Sequence, residues 1–293
     1  MAGRRPRGAR PESPSEVRTI PVTRIPVRQL LERYEIAPRK RFGQNFLHDP
    51  AVCERIAAAA GVAPGDAVLE IGPGLGAITA PLLDAGARVT AVEVDRRVAD
   101  CLDDLFADRT DFLLHRGDVL RLDLSTLAPE ARTLVANLPY SITGPVLSRL
   151  IDHADRFDRC VIMVQREVGA RLVAEPGSRA LGAPAVLLRL LWRIERCFEV
   201  GKGAFLPPPE VVSVVLRLTR RPGTELAPGL REAVNLAYRQ RRKTLRRTLA
   251  GVLSDEEGIV TALSALGHPA GARPEHLAPE DWPALLARTG SRP

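Results

Sequence analysis

The stretch AVLEIGPGLGAITAPLLDAGARVTAVEVD, Ala67 to Asp95, decides the fold. It opens on a short apolar run, AVLEI, which stops at a cluster of glycines, Gly72, Gly74 and Gly76. AITAPLLDAG follows with helical spacing and ends at Gly86. RVTAVEVD is a second strand-like run. Strand, glycine turn, helix and strand in about thirty residues make a βαβ unit. Outward from it the alternation continues. RRVADCLDDLFAD reads as a helix, DFLLHRGDVL as a third strand and TLVAN as a fourth. GPVLSRLIDHA is the next helix and RCVIMVQ a fifth strand. Strands separated by helices of about ten residues predict an α/β fold with a parallel sheet. Such sheets bind ligands outside the carboxyl ends of their strands.

After Val168 the pattern changes. EVGARLVAEPGSRALG reads as a helix and then a loop. WRIERCFEV and VVSVVLRLTR read as two strands, joined by GKGAFLPPPE. That connection is too short for a crossover helix, so an antiparallel end to the sheet is expected. From about Thr224 the chain is helical, in LREAVNLAYRQRRKTLRRTLAGVL, IVTALSALG and DWPALLART. The expected organisation is a basic, flexible extension over 1–38, the sheet domain over 39–222 and a small all-helical domain over 223–293.

The totals set bounds. With 293 residues, 45% hydrophobic and 26% charged, the chain has the composition of a soluble globular protein. No apolar stretch is long enough to span a membrane and no secretory leader is evident, so a cytoplasmic protein is expected. Cys53, Cys101, Cys160 and Cys197 are far apart, without a CxxC pair, and the five histidines form no HExxH. Reduced thiols and no metal site are expected. Eleven Arg and Lys against four Asp and Glu in the first 41 residues account for the whole net charge of +7. That arm reads as a solvated extension, an electrostatic tether for nucleic acid, or, against its prolines and glutamates, an organelle presequence.

The strand ends carry the chemistry. Glycine lets the backbone turn sharply and approach a ligand closely. Gly72-x-Gly74-x-x-Ala77 alone also fits a dinucleotide fingerprint. Glu93 ends the second strand, where a carboxylate can accept both hydroxyls of a ribose. Asp118 ends the third, where a carboxylate can accept from an adenine amino group. Either acid would otherwise be a helix cap, as Asp95 is expected to be. Together they outline a nucleoside pocket for NAD or S-adenosylmethionine. Asn137-Leu138-Pro139-Tyr140 ends the fourth strand and favours the latter. An adenine amine is a poor nucleophile because its lone pair is delocalised. The Asn137 side-chain oxygen and the Leu138 carbonyl can hold its two N–H groups, Pro139 restricts Leu138 to extended geometry, and Tyr140 offers a stacking face.

These residues resemble one family. RKRFGQNFLHD (Arg39 to Asp49), EIGPGLG, EVD, GDVL, NLPYSIT, MVQREVGARLVAEPGS, AFLPPPEVVSVVLRL and QRRKTLRR stand in the order seen in small-subunit ribosomal RNA adenine N6,N6-dimethyltransferases of the KsgA/RsmA type. The resemblance runs from about Arg39 to at least Trp282. It implies a class I, Rossmann-like methyltransferase sheet, S-adenosylmethionine as donor, and dimethylation of two adjacent adenosines near the 3′ end of small-subunit rRNA. A monomer acting on the precursor of the small subunit is the implied working state. Asn45 and Leu47 would close over the cofactor, with Gln44 beside them. Gly72, Gly74, Glu93, Asp118 and Asn137 would line its pocket, and Tyr140 and Phe205 would sandwich the base. Ser141, Leu181-Gly182 and Val211-Val212-Ser213 depart from the usual Asn, Tyr-Gly and Val-Asp-Ser. Macrolide-resistance methyltransferases of large-subunit rRNA are the nearest rival; their first motif usually begins Ser-Gln-Asn-Phe, where Gly43 precedes Gln44 here. A non-catalytic assembly or transcription factor on the same fold is the other.

YRQRRKTLRR is expected to place Arg239, Arg242, Lys243, Arg246 and Arg247 on one helix at i, i+3 and i+4 spacings, with Leu236, Leu245 and Leu249 inward. That face is either a solvated surface or one that tracks phosphates. Phosphate contacts there would offset the cost of flipping the target base.

Overall fold

The computed structural model describes residues 25–39 and 43–290. In chain order, α1 (Val27–Arg33) precedes a short strand, β1 (Phe46–Leu47), and α2 (Pro50–Ala60). The alternating part follows as β2 (Ala67–Ile71), α3 (Thr79–Asp84), β3 (Arg88–Glu93), α4 (Arg96–Leu105), β4 (Phe112–Arg116), α5 (Leu124–Leu127), β5 (Thr133–Asn137), α6 (Thr143–Asp152) and β6 (Arg159–Gln165). Then come α7 (Arg166–Leu172), α8 (Ala183–Leu191), β7 (Trp192–Val200), β8 (Phe205–Leu206) and β9 (Ser213–Arg220). The chain closes with α9 (Leu230–Arg239), α10 (Leu245–Leu249), α11 (Glu256–Ala265) and α12 (Asp281–Thr289).

Seven strands form one sheet in the order β4-β3-β2-β5-β6-β9-β7. The first five are parallel; β9 runs antiparallel to both β6 and β7, as the short connection required. The central strands are buried on both faces, which is why they read as unbroken apolar runs. Their side chains alternate between two cores. Leu69, Ile71, Leu134, Ala136 and Ile162 join one with α6 and α8. Val68, Val89, Val135, Val161 and Met163 join the other with α2, α3 and α4. The chain winds from β2 outward to β3 and β4, then returns to β5 on the opposite side of β2. This reversal opens a crevice at the carboxyl ends of β2 and β5.

The register puts the functional positions in a row. Ile71 pairs with Val92 on one side and Ala136 on the other. The next residues along the three strands are therefore Gly72, Glu93 and Asn137. Glu93 pairs with Arg116, which leads to Gly117 and Asp118 one and two residues later. β1 and β8 pair antiparallel and bring the first motif beside the Phe205 segment.

The structure adds detail to the sequence reading in four places. The arm 1–24 lies outside the described residues, but residues 25–38 are not a loose extension. α1 lies there, and Leu30 and Ile36 are buried with Phe46 in the second core. The basic stretch is not one helix. α9 stops at Arg239, Gln240–Thr244 form a turn, and α10 starts at Leu245. Leu245 and Leu249 are fully buried and Leu236 partly, as expected. Ala183–Leu191, which carried no helical reading, forms α8. Finally, the helices after residue 223 share a continuous core with α8: Val234, Leu245, Leu263 and Trp282 belong to the same cluster as Leu187 and Leu188.

Candidate active site

The crevice is lined by Gln44 and Asn45 from the first motif, and by Gly72, Gly74, Glu93 and Asp118 from three strand ends. Asn137, Leu138, Pro139, Tyr140 and Phe205 complete it. Eleven of the twelve residues expected to bind cofactor or base thus share one cleft. The exception is Leu47, which is 3% exposed and bounds a neighbouring cavity with α1.

Glycine at two of these positions is a geometric need. Gly72 has φ +69°, and a Cβ there would stand 3.2 Å from the Asn137 carbonyl oxygen. Gly74 has φ +56°, and its Cβ would stand 3.4 Å from the Phe46 ring. Both values of φ lie where side chains are strained.

The acids differ in environment. Glu93 is 8% exposed, and its Oε1 accepts from the backbone N–H of Val94 and of Asp95, each at 2.9 Å. Burial pushes its carboxyl up to about 7, against the pull of those N–H donors. Asp118 is half-buried; its Oδ1 accepts from Leu120 N at 2.9 Å and Arg121 lies 3.7 Å from Oδ2. Asp95 is the expected N-cap of α4, accepting from Arg97 N at 3.1 Å. It also accepts from Gln44 Nε2 at 3.0 Å, while Gln44 Oε1 accepts from Arg39 N at 2.9 Å. Gln44 therefore pins the first motif to the end of β3.

Beyond β5 the backbone is fixed and the chemistry is left open. Leu138 N donates to Met163 O at 3.2 Å, and Ile142 N to Pro139 O at 3.1 Å. The Asn137 carboxamide is half-buried and makes no hydrogen bond with another side chain or backbone group among the described residues. Tyr140 is half-buried, with its hydroxyl 3.2 Å from Ser213 Oγ. A Cβ on Gly43 would be 3.6 Å from Pro139, so the first motif rests on the Asn-Leu-Pro-Tyr turn.

The fold and the cleft match known proteins. Residues 37–265 fit the model of the family described as Ribosomal RNA adenine dimethylase. The chain belongs to that family. Ribosomal RNA small subunit methyltransferase A of Pseudomonas putida is 41% identical over 255 residues, covering 84% of this chain and 92% of that protein. The Thermosynechococcus vestitus protein of the same name is 43% identical over 258 residues, covering 85% and 96%. A dimethyladenosine transferase from Plasmodium falciparum superposes with a TM-score of 0.72 at 24% identity, over 82% of this chain and 95% of that one. The 23S rRNA methyltransferase ErmE does so at 0.67 and 27% identity, over 83% and 99%. The sheet is thus that of a Rossmann-like, class I methyltransferase.

Within this dimethylase fold the departures sit in different places. Leu181 is fully buried in the first core, so the change from the usual Tyr is a matter of packing. Ser141 is exposed and Val212 half-buried. Phe205 is only 3% exposed and packs with Phe46 in the second core, so it contributes wall more than open face. Of the basic residues, Arg239, Arg242, Lys243 and Arg247 are exposed, without an acidic partner among the described residues; they lie outside the cleft. Arg246 is half-buried, with its Nε enclosed and unpaired. Sequence reading missed the apolar walls, Ile71, Val92, Val119 and Ile142, although each is within two residues of a motif position. It also missed Ser213 as the partner of Tyr140.

Proposed function

We propose that the protein transfers methyl groups from S-adenosylmethionine to N6 of two adjacent adenosines near the 3′ end of small-subunit ribosomal RNA. The observation that carries this reading is the alignment of Gly72, Glu93 and Asn137 on adjacent strand ends, with a carboxamide at the cleft that has no hydrogen-bond partner among the described residues. The residues fit such a cofactor. A side chain at Gly72 would close the space, and Glu93 offers an oriented carboxyl group for ribose hydroxyls. Asp118 is placed for the adenine amino group, and Asn45 borders the same space. When bound, S-adenosylmethionine supplies a methyl group on an electrophilic sulfonium.

The chain's own work is alignment. Asn137 Oδ1 and the Leu138 carbonyl oxygen accept the two N–H groups of the target amine and turn its lone pair toward the methyl. Positioning of this kind removes much of the barrier of a two-body reaction. The proton lost from the alkylated amine passes to water, and no side chain acts as a nucleophile. Tyr140, and the limited exposed part of Phe205, bound the space for the base. Arg239, Arg242, Lys243 and Arg247 supply phosphate contacts.

The protein works as a monomer in the cytoplasm on a precursor of the small subunit, and no helix among its described residues is long and apolar enough to cross a membrane. The small-subunit target is favoured over the large-subunit one because the similarity is 41–43% to small-subunit enzymes and 27% to ErmE. The test is methylation of unmodified ribosomal subunits with radiolabelled donor, followed by primer-extension mapping. The expected product is a pair of dimethylated adenosines near the 3′ end of small-subunit RNA. Label in large-subunit RNA would transfer the reading to the macrolide-resistance class, and absence of donor binding would leave a non-catalytic factor.

A further inference from the structure

We propose that Ser213 is a positioning residue for the reaction, holding the Tyr140 ring in the attitude that receives the target adenine. The inference rests on the reading of Tyr140 as the platform for that base.

Ser213 is the first residue of β9 and only 2% exposed. Its backbone is fixed from both sides, opposite Gln165 of β6 and opposite Val200 of β7. Its hydroxyl lies 3.2 Å from that of Tyr140, and this is the side-chain hydrogen bond that either residue makes among the described residues. A serine serving only the core would bond a nearby carbonyl of its own sheet. This one reaches a residue 73 positions away.

Tyr140 leaves a turn whose backbone is already tied down by the Leu138–Met163 and Ile142–Pro139 bonds. The sheet order β5-β6-β9 puts the two ends of the tyrosine on different supports. Its backbone follows β5, its hydroxyl is held by β9, and the side chain bridges the end of β6 between them. A tyrosine has two side-chain torsions; its hydroxyl oxygen lies on the axis of the second, so an anchor there fixes the first and with it the place of the ring. A platform set in advance spares the rotamer freedom that binding would otherwise remove. Loss of one neutral hydrogen bond is expected to weaken binding by about two- to tenfold.

The test uses the full chain with unmethylated small subunits. Ser213→Ala should raise KM for the subunit by about two- to tenfold, leaving kcat and the donor Kd near wild type, and Tyr140→Phe should raise KM by the same factor. The double variant should be no worse than either single one, because both remove the same bond. Ser213→Thr, which keeps the hydroxyl, should restore KM. Wild-type KM in both single variants, or additive losses in the double, would overturn the proposal. Tyr140→Ala separates the two levels. If it is inactive while Ser213→Ala and Tyr140→Phe behave as wild type, only the positioning role falls. If Tyr140→Ala itself turns over normally, the platform reading falls and takes this inference with it.

Discussion

Gly72 and Asn137 approach so closely that a single added carbon would stand 3.2 Å from the Asn137 carbonyl oxygen. On the function proposed above, the donor side and the acceptor side of the cleft meet at that contact. Gly72→Ala should therefore act on both. An alanine held at φ +69° costs about 1–2 kcal/mol, and the new methyl pushes against the strand end that aims the carboxamide. Chemical denaturation should show the stability loss, and single-turnover assays a loss of transfer larger than the loss of donor affinity.

Asn137→Ala removes the acceptor while leaving the pocket walls in place. Transfer should fall by at least about 100-fold, the scale seen when one preorganised polar group is deleted. Donor affinity measured by calorimetry should change by less than about threefold. A variant that methylates near the wild-type rate would show that the amide does not hold the amine.

With Glu93 as the proposed ribose acceptor, donor binding should depend on pH. Burial raises its carboxyl to about 7, so it is mostly protonated at pH 6 and mostly ionised at pH 8. The ionised form is the better acceptor for ribose hydroxyls. Affinity should rise as pH increases through 7, by roughly tenfold between pH 6 and 8 if only that form binds. Glu93→Gln should flatten the profile, and a flat profile in the wild type would remove the carboxylate from donor recognition.

Glu70 gives stability a separate pH dependence. It is 1% exposed on β2 and accepts from Thr79 Oγ1 at 2.7 Å, with its other oxygen unpaired. Burial, aided by the charge of Glu93 and opposed by Thr79, pushes it up to about 7. The native state therefore holds a proton that the unfolded chain releases near the ordinary 4.5. This group's contribution is complete below 4.5 and is lost as pH rises toward and through 7. Glu70→Gln keeps the acceptor for Thr79 without the ionisation. Relative to wild type, the variant should gain stability between pH 5 and 8, on the order of 3 kcal/mol, read from denaturant midpoints.

The basic turn predicts a salt effect. Arg242→Ala with Arg247→Ala removes two exposed charges and should lower the slope of log K against log salt for RNA by about 1.4 to 1.8. An unchanged slope would make this a solvated face. Arg246→Ala should act differently, through packing and stability, because that side chain is half-buried.

Much of this was legible in the sequence because parallel strands end where their apolar runs end. Ile71, Glu93 and Asn137 each mark such an end, and the fold lines them up without further information. Asp95 was readable as a cap because it precedes a helix directly. α8 was not readable: Ala183–Leu191 is apolar on nearly all sides, so it shows no periodicity to separate helix from strand. The break at Gln240–Thr244 was hidden for the opposite reason, since RQRRKTLRR contains neither Gly nor Pro to signal a turn. α1 falls in a segment whose charge suggested solvent, yet Leu30 and Ile36 are enough to seat it. The partners Gln44–Asp95 and Tyr140–Ser213 lie 51 and 73 residues apart, and only the sheet order makes them neighbours.

That order also constrains how the molecule is made. β9 is the last strand to leave the ribosome, yet it lies between β6 and β7. During synthesis β7 has no sheet to join until Ser213–Arg220 emerge, and the open side of β6 stays without its neighbour. Vectorial synthesis can complete the parallel half early, but the seam that carries Ser213 closes only after about three-quarters of the chain exists. In a nascent chain of this kind the Asn137–Tyr140 turn is in place early, and its support from Ser213 arrives late.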